Sequence, residues 1–497
     1  MRCIHQTQHF GRDGKNEGRG PRQVWPAMAE QEPLTHRHMV KNTAPMTLVT
    51  PLIRDTMPRL IAMVVWGAVV ALQSGSVVAQ TQGKTLGQTQ THTPHVDVFH
   101  WWVSGGERAS VDVIRDATLA QGIGWTEAST VGSGTARYTR VLEQRVRAGK
   151  TPTAAQMIGH DIHTWAARGL LANLDDLARR EEWDAVVPLD IQHLSKYDGH
   201  WVATPFNTHA TNWLWVNQAL ATRLGATAPP DTFPDLVALL EKARVAGVVP
   251  LAIGREAWEH TLLFEVVAAG YLGASAYRKA FIDLRPDVLT PEQAAAVFAR
   301  MRLLSHYLDP GYKTRSWDAA SDMVRAGKAL LQAQGTWVNG EFTARGMVPG
   351  REYACWQFPD TQGMFVFNAD QYIFFRAPVQ GQNGADAFAS LLMSPALQVT
   401  VNIKTGAAPA RVDASPERFN ACGKRAIAGL RASNMRRTVL GSIAMGNANP
   451  AAVKTAIYQV VTNHLQGKMN DEEAASLLRK ALVAGARARA KERESQQ

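Results

Sequence analysis

Cysteine is nearly absent: Cys3, Cys355 and Cys422 are the only three in 497 residues. None has a second ligand at C-x-x-C or C-x-x-H spacing, which argues against a cysteine-based metal site. Charge is sparse too, at 19% of residues. The chain has 53 Lys+Arg against 43 Asp+Glu, and nine of the former and five of the latter lie within residues 1–79. The remaining excess is thin and spread over a long chain, without an arginine-rich stretch interleaved with aromatics, so a nucleic-acid partner is not expected. Also missing are a G-x-S-x-G nucleophile turn and an H-E-x-x-H zinc pair. What remains, with 45% hydrophobic residues, is an ordinary globular composition long enough for two or more domains.

The most apolar stretch, residues 60–72 (LIAMVVWGAVVAL), runs for 13 residues and is short for a membrane span. It follows Arg54 and Arg59 and precedes the small-residue segment ending at Ala79. That order is the signature of a secretory signal peptide, with cleavage expected after Ala79. Residues 1–45 show no apolar periodicity and read as an upstream mis-start, with Met46 or Met57 the expected first residue. Residues 80–95 are polar and Thr/Gln-rich, a flexible leader. Export to an oxidising compartment makes the cysteines informative. Cys3 leaves with the signal, and Cys355 and Cys422 are expected to pair.

Beyond the leader, strands alternate with helices. VFHWWVSGGE (residues 98–107) ends a strand in two tryptophans, a small-residue turn and Glu107 at a helix start. A buried strand is expected at 154–158, a short extended piece at 202–207, a further strand at 212–217, and β-rich pieces at 329–334 and 364–376. Helices are expected at 107–121, from Gly132-Ser133-Gly134 to about 148, at 233–246, 258–270 and 291–307, and through most of the last hundred residues. The basic end, GARARAKERESQQ, reads as a solvated, frayed tail. This alternation implies α/β units around a mostly parallel sheet.

Several stretches carry a resemblance: 161–177 (DIHTWAARGLLANLDDL), 196–205 (KYDGHWVATP), 216–240 (VNQALATRLGATAPPDTFPDLVALL) and 319–337 (AASDMVRAGKALLQAQGTW). Together with VFHWWVSGGE and FNADQYIFF, and in this order, they resemble the family 1 extracellular solute-binding proteins of bacterial ABC sugar importers. The glucose/mannose-binding branch is the most similar. The resemblance covers about residues 96–465. It implies a type II periplasmic-binding-protein fold: two α/β lobes joined by a hinge, with ligand in the interlobe cleft. The expected division is 96–206 with 362–405 for lobe 1, and 207–361 with 406–497 for lobe 2. It further implies a monomeric periplasmic protein, without a cofactor and not an enzyme, that delivers a small-molecule sugar to the transmembrane permease subunits.

The residue types suit that ligand. A pyranose has an apolar C–H face for an aromatic ring and a hydroxyl rim for carboxylates and amides. Micromolar affinity needs about 8 kcal/mol, within reach of one stacked ring and several charge-assisted bonds. The candidate set is Trp101, Trp102 and Glu107 after the first strand, Trp337 for the opposite face, and Asn368 and Asp370 for the rim. Gln156 and His209 are supporting candidates, and Lys404 completes the set. Core packing is the alternative role for each tryptophan, and a turn pair for Asn368 and Asp370. Ile158, Thr405 and Met445 stand where glucose-binding members carry two lysines and a histidine. The expected ligand is therefore a sugar or sugar-like molecule other than glucose.

Two rival functions have residues to point to. Glu107 and Asp370 could form a hydrolase carboxylate pair. Metal or anion capture could draw on His92, His95 and His100, on His160 and His163, or on the Gly132-Ser133-Gly134 turn.

Overall fold

The structure, a computed structural model, describes residues 93–130, 136–376 and 384–496. The expected signal segment and nearly all of the leader lie outside the described residues, as does the Gly132-Ser133-Gly134 turn.

The chain builds two α/β lobes on two sheets. The first sheet has five strands in the order Gly124–Ser129, His95–His100, Ala154–Ile158, Asp370–Phe374 and Ala203–Pro205. Its first three strands are parallel, and Asp370–Phe374 runs antiparallel to both of its neighbours. The central strand AAQMI is buried along its whole length, as a strand covered on both faces should be. The second sheet has four strands in the order Tyr353–Gln357, Trp213–Asn217, Ala329–Gln334 and Val249–Leu251. In Trp213–Asn217 the two-residue side-chain period separates two cores. Leu214 and Val216 join one with Phe264, Phe298 and Leu331, while Trp215 joins the other with Tyr353 and Phe342.

Local sequence accounts for the helix starts. Thr232 caps Phe233–Val245 by accepting from the Asp235 amide, and Thr290 caps Pro291–Ser305 by accepting from Gln293. Helix Gly105–Ala120 begins after Ser104, where Glu107 Oε2 turns back to accept from the amides of Val103 (3.0 Å) and Ser104 (3.1 Å).

The lobes meet at a strap of three chain passages. Phe365–Asn368 belongs to a small third sheet with His209–Ala210 and Val439–Gly441, and one residue later Asp370–Phe374 enters the five-stranded sheet. The second passage runs from Pro205 to His209, with the Phe206 amide donating to Asp370 O at 3.2 Å. The third joins the second through Thr208 and Ala408, which exchange backbone hydrogen bonds of 2.7 and 3.0 Å. The expected β-rich piece at 364–376 is thus two strands in two sheets, broken at Ala369.

Two further differences from the sequence reading have physical causes. The basic end is not frayed: it continues the helix Asp471–Gln496. There Gly485 sits against Val453 and Leu284, and the Arg489 guanidinium donates to Ile282 O at 2.8 Å. The first strand begins at His95, inside the expected leader. Cys355 and Cys422 form the expected disulfide, tying an edge strand of the four-stranded sheet to helix Ala421–Arg436. Among the described residues no helix is long and apolar enough to cross a membrane.

Candidate functional site

A cleft of about 710 Å³ opens between the lobes, within the usual range of about 300–1,000 Å³ for small-ligand sites. Trp101, Trp102 and Glu107 line it from the carboxyl end of the first strand, and Trp258, Trp317 and Trp337 from the lobe of the four-stranded sheet. His209, Asn368 and Asp370 line it from the strap.

Both adjacent tryptophans are buried, at 3% exposure each, and both still border the cleft. Core and wall are therefore one role here. Trp101 meets Tyr138 edge to face at 4.8 Å, and Trp102 meets Phe206 in the same manner at 5.5 Å. On the opposite side Trp337 is partly exposed. Its ring stands edge-on to His209 at 5.3 Å and to Trp258 at 6.0 Å. Gly335 permits this pose, because a Cβ there would lie 2.2 Å from the Trp337 ring. Trp258, Trp317 and Trp337 all stand in the first turn of a helix.

The polar floor is pre-organised around Asp370, which is 3% exposed. Its Oδ1 accepts from Gln156 Nε2 and its Oδ2 from Asn207 Nδ2, each at 3.0 Å. Burial still pushes the carboxyl up to about 6. His209 Nε2 lies 3.6 Å from Oδ2, but burial drives this imidazole down to about 3, so it is neutral near pH 7. Its Nδ1 lies 3.0 Å from Thr336 Oγ1. Asn368 Oδ1 accepts from Asn447 Nδ2 at 2.9 Å.

Glu107 spends Oε2 on the helix start, and dehydration in the cleft wall pushes its carboxyl up to about 7. Beside it, Glu341 Oε1 accepts from Ser104 Oγ at 2.8 Å and from the Gly106 amide at 3.0 Å. A carboxylate of one lobe thus sits at the helix N-terminus of the other, where backbone amides and the helix dipole favour it.

Of the nine residues expected to bind ligand, seven border the cleft: Trp101, Trp102, Glu107, His209, Trp337, Asn368 and Asp370. Gln156 is fully buried behind it and holds Asp370. Lys404 is exposed on helix Pro395–Thr405 and does not border the cleft, whereas its neighbour Thr405 does. Ile158 and Met445, the other two departures from the glucose-type pattern, also border it. The sequence reading missed Trp258, Trp317, Arg140, Lys454, Glu341 and Tyr458. For the first two, the one feature the sequence offers is an aromatic in the first turn of a helix, which a core-facing aromatic shares.

The residues of the rival functions sit as follows. Both oxygens of Asp370 and one of Glu107 are engaged by amides. His160 and His163 meet edge to face at 5.5 Å, and burial lowers both. Among the described residues no group of three His, Cys, Asp or Glu is placed to hold a metal.

The sequence profile of the bacterial extracellular solute-binding proteins matches residues 118–421. A "Probable sugar-binding periplasmic protein" of Rhizobium meliloti is 44% identical over 390 residues, covering 78% of this chain and 94% of that protein. Another of the same description from Brucella suis is 42% identical over 390 residues, covering 78% and 92%. Among solved structures, a chitin oligosaccharide binding protein superposes with a TM-score of 0.68 at 17% identity, covering 79% of this chain and 99% of that one. A type II two-lobed fold, a cleft between the lobes and this extent of similarity have one reading: the chain belongs to the bacterial extracellular solute-binding proteins.

Proposed function

We propose that this protein is the substrate-binding component of an ABC importer. It captures a sugar or sugar-like ligand in the interlobe cleft and presents the closed form to the transmembrane permease subunits. The observation that carries this reading is the make-up of the cleft. Trp101 and Trp102 from one lobe and Trp337 from the other border one cavity, with Asn368 and Asp370 on the strap that joins the lobes. Rings cover the apolar sugar face, and the amide and carboxylate take hydroxyls. Relatives named as sugar-binding periplasmic proteins support the same class.

In this reading lobe 1 holds 96–206 and 362–405, lobe 2 holds 207–361 and 406–497, and a monomer works in the periplasm after signal cleavage. Binding rather than hydrolysis fits the two carboxylates, since both oxygens of Asp370 and one of Glu107 already accept from amides. A ligand other than glucose fits the cleft positions Ile158, Thr405 and Met445, which add no charged partner. A buried hydroxyl without a partner costs about 1–3 kcal/mol.

The mechanism requires ligand to touch both lobes, since only differential contact shifts the open–closed equilibrium. A thermal-shift screen of mono- and disaccharides, sugar acids and polyols, followed by calorimetry and small-angle scattering, tests it. A binding sugar that compacts the particle is the expected result. Binding without compaction, or no binding across the panel, would sink the reading.

A further inference from the structure

The charges of the cleft do not balance, and the imbalance names a ligand class. Six carboxylates border the cavity: Glu107, Glu143, Asp161, Glu256, Glu341 and Asp370. Four have a cation within ion-pair distance. Glu143 meets Arg168 at 2.9 Å, Asp161 meets Lys454 at 3.7 Å, Glu256 meets Arg255 at 3.0 Å and Glu341 meets Arg345 at 2.8 Å. Glu107 and Asp370 have none among the described residues. Their partners are neutral donors: the Val103 and Ser104 amides for Glu107, and Gln156 and Asn207 for Asp370. The imidazole nearest Asp370, His209, is itself uncharged near pH 7. Of the two cations that border the cavity, Lys454 is committed to Asp161, and Arg140 is exposed.

A carboxylate without a counter-charge in a dehydrated cleft carries a desolvation penalty of several kcal/mol, which an incoming cation relieves. The walls favour the same sign. Trp101, Trp102, Trp258, Trp317 and Trp337 border the cavity, and the face of an indole attracts ammonium groups more strongly than any other side-chain ring.

From this juxtaposition of two carboxylates lacking a cation and five tryptophans around one cavity, we infer that the ligand is an amino sugar whose protonated amine is received by Asp370 and Glu107. The inference rests on the reading of the cleft as a sugar site and sharpens it. The hydroxyl rim and apolar face stay with Asn368 and the tryptophan rings, while the ammonium group supplies the missing counter-charge.

Calorimetry at neutral pH with matched triplets tests it: glucosamine, galactosamine and mannosamine, each beside its parent sugar and its N-acetyl form. The expected result is at least one amine that binds about tenfold or more tighter than both of its neutral counterparts, with a preference that shrinks as salt rises. The double substitution Glu107→Gln, Asp370→Asn should abolish that preference while the thermal transition shows a folded protein. If the variant does not fold, the salt dependence and the amine-to-N-acetyl ratio of the native chain decide alone. Neutral sugars binding as tightly as the amines, or more so, would overturn the charge assignment and leave the sugar cleft standing. No binding by any member of the triplets would overturn the assignment as well, and a neutral sugar outside them that bound would show that the cleft reading survives it.

Discussion

Gln156 Nε2 donates to Asp370 Oδ1 at 3.0 Å, and Gln156 Oε1 accepts from the Trp101 amide at 3.3 Å. One buried side chain, which never borders the cleft, therefore fixes an acid of the floor and the backbone of a wall tryptophan. Gln156→Leu should weaken ligand binding about tenfold and lower stability by about 1–3 kcal/mol, because it strands a carboxylate oxygen and an amide. Calorimetry with a ligand from the screen reads the first effect and denaturant unfolding the second. Unchanged affinity would show that Gln156 has no part in holding Asp370.

The pH dependence has a definite sign. Burial raises Glu107 to about 7 and Asp370 to about 6 in the folded protein. The folded state thus holds more protons than the unfolded chain between about pH 4 and about 7, and these two groups make ligand-free stability fall as pH rises through that window. Ligand binding moves the opposite way, since a protonated acid is a weaker hydroxyl acceptor and no counter-charge. Affinity should drop as pH falls through 7 and 6, and the drop should flatten in Asp370→Asn. An affinity that stays level across this window in the native chain would remove Asp370 and Glu107 from the ligand contacts.

Truncating tryptophans should separate wall from core. Trp102 is 3% exposed against Phe206, so Trp102→Ala should cost about 3–5 kcal/mol of stability. Trp337 is partly exposed, so Trp337→Ala should spare most of the stability and lose ligand affinity. Tryptophan emission during titration, compared with the thermal transition of each variant, distinguishes the two outcomes.

The bond between Cys355 and Cys422 closes a loop with a sequence separation of 67. In the chain-entropy picture a loop of this length stabilises by about 4 kcal/mol. Reductant, or paired substitution of both cysteines to serine, should lower the unfolding midpoint accordingly. A thiol assay on the unfolded, unreduced mature chain should find neither cysteine free.

Much of the fold was legible because local signals agreed with the buried pattern. The strands at 154–158 and 329–334 are short, uncharged and mostly apolar runs between turns, and Thr232 and Thr290 announce their helices. Phe365–Phe374 was not separable into two strands, because its break at Ala369 has no glycine or proline to mark it. Trp258 and Trp317 were hidden by their own chemistry: an aromatic at a helix start has the same sequence pattern whether it faces a core or a cavity. Lys404 shows the limit of transfer by position. Adjacent residues on a helix point about 100° apart, so Thr405 turns inward while Lys404 meets solvent. The basic end looked solvated by composition, yet its small residues, Gly485 among them, let the helix lie close against Val453 and Leu284.

The strap has a mechanical consequence. Its three passages are stitched side by side by backbone bonds, including the reciprocal pair of Thr208 and Ala408. Sliding one lobe along the other would break those bonds together, whereas bending keeps them. A closing motion of the kind proposed would then turn the lobes as two levers on one fulcrum. His209, Asn368 and Asp370 sit at the fulcrum, where displacement is smallest, and the tryptophans ride on the arms. In the proposed capture mechanism the polar groups of the strap would stay nearly still while the aromatic walls swing, so a ligand would be oriented before it is enclosed.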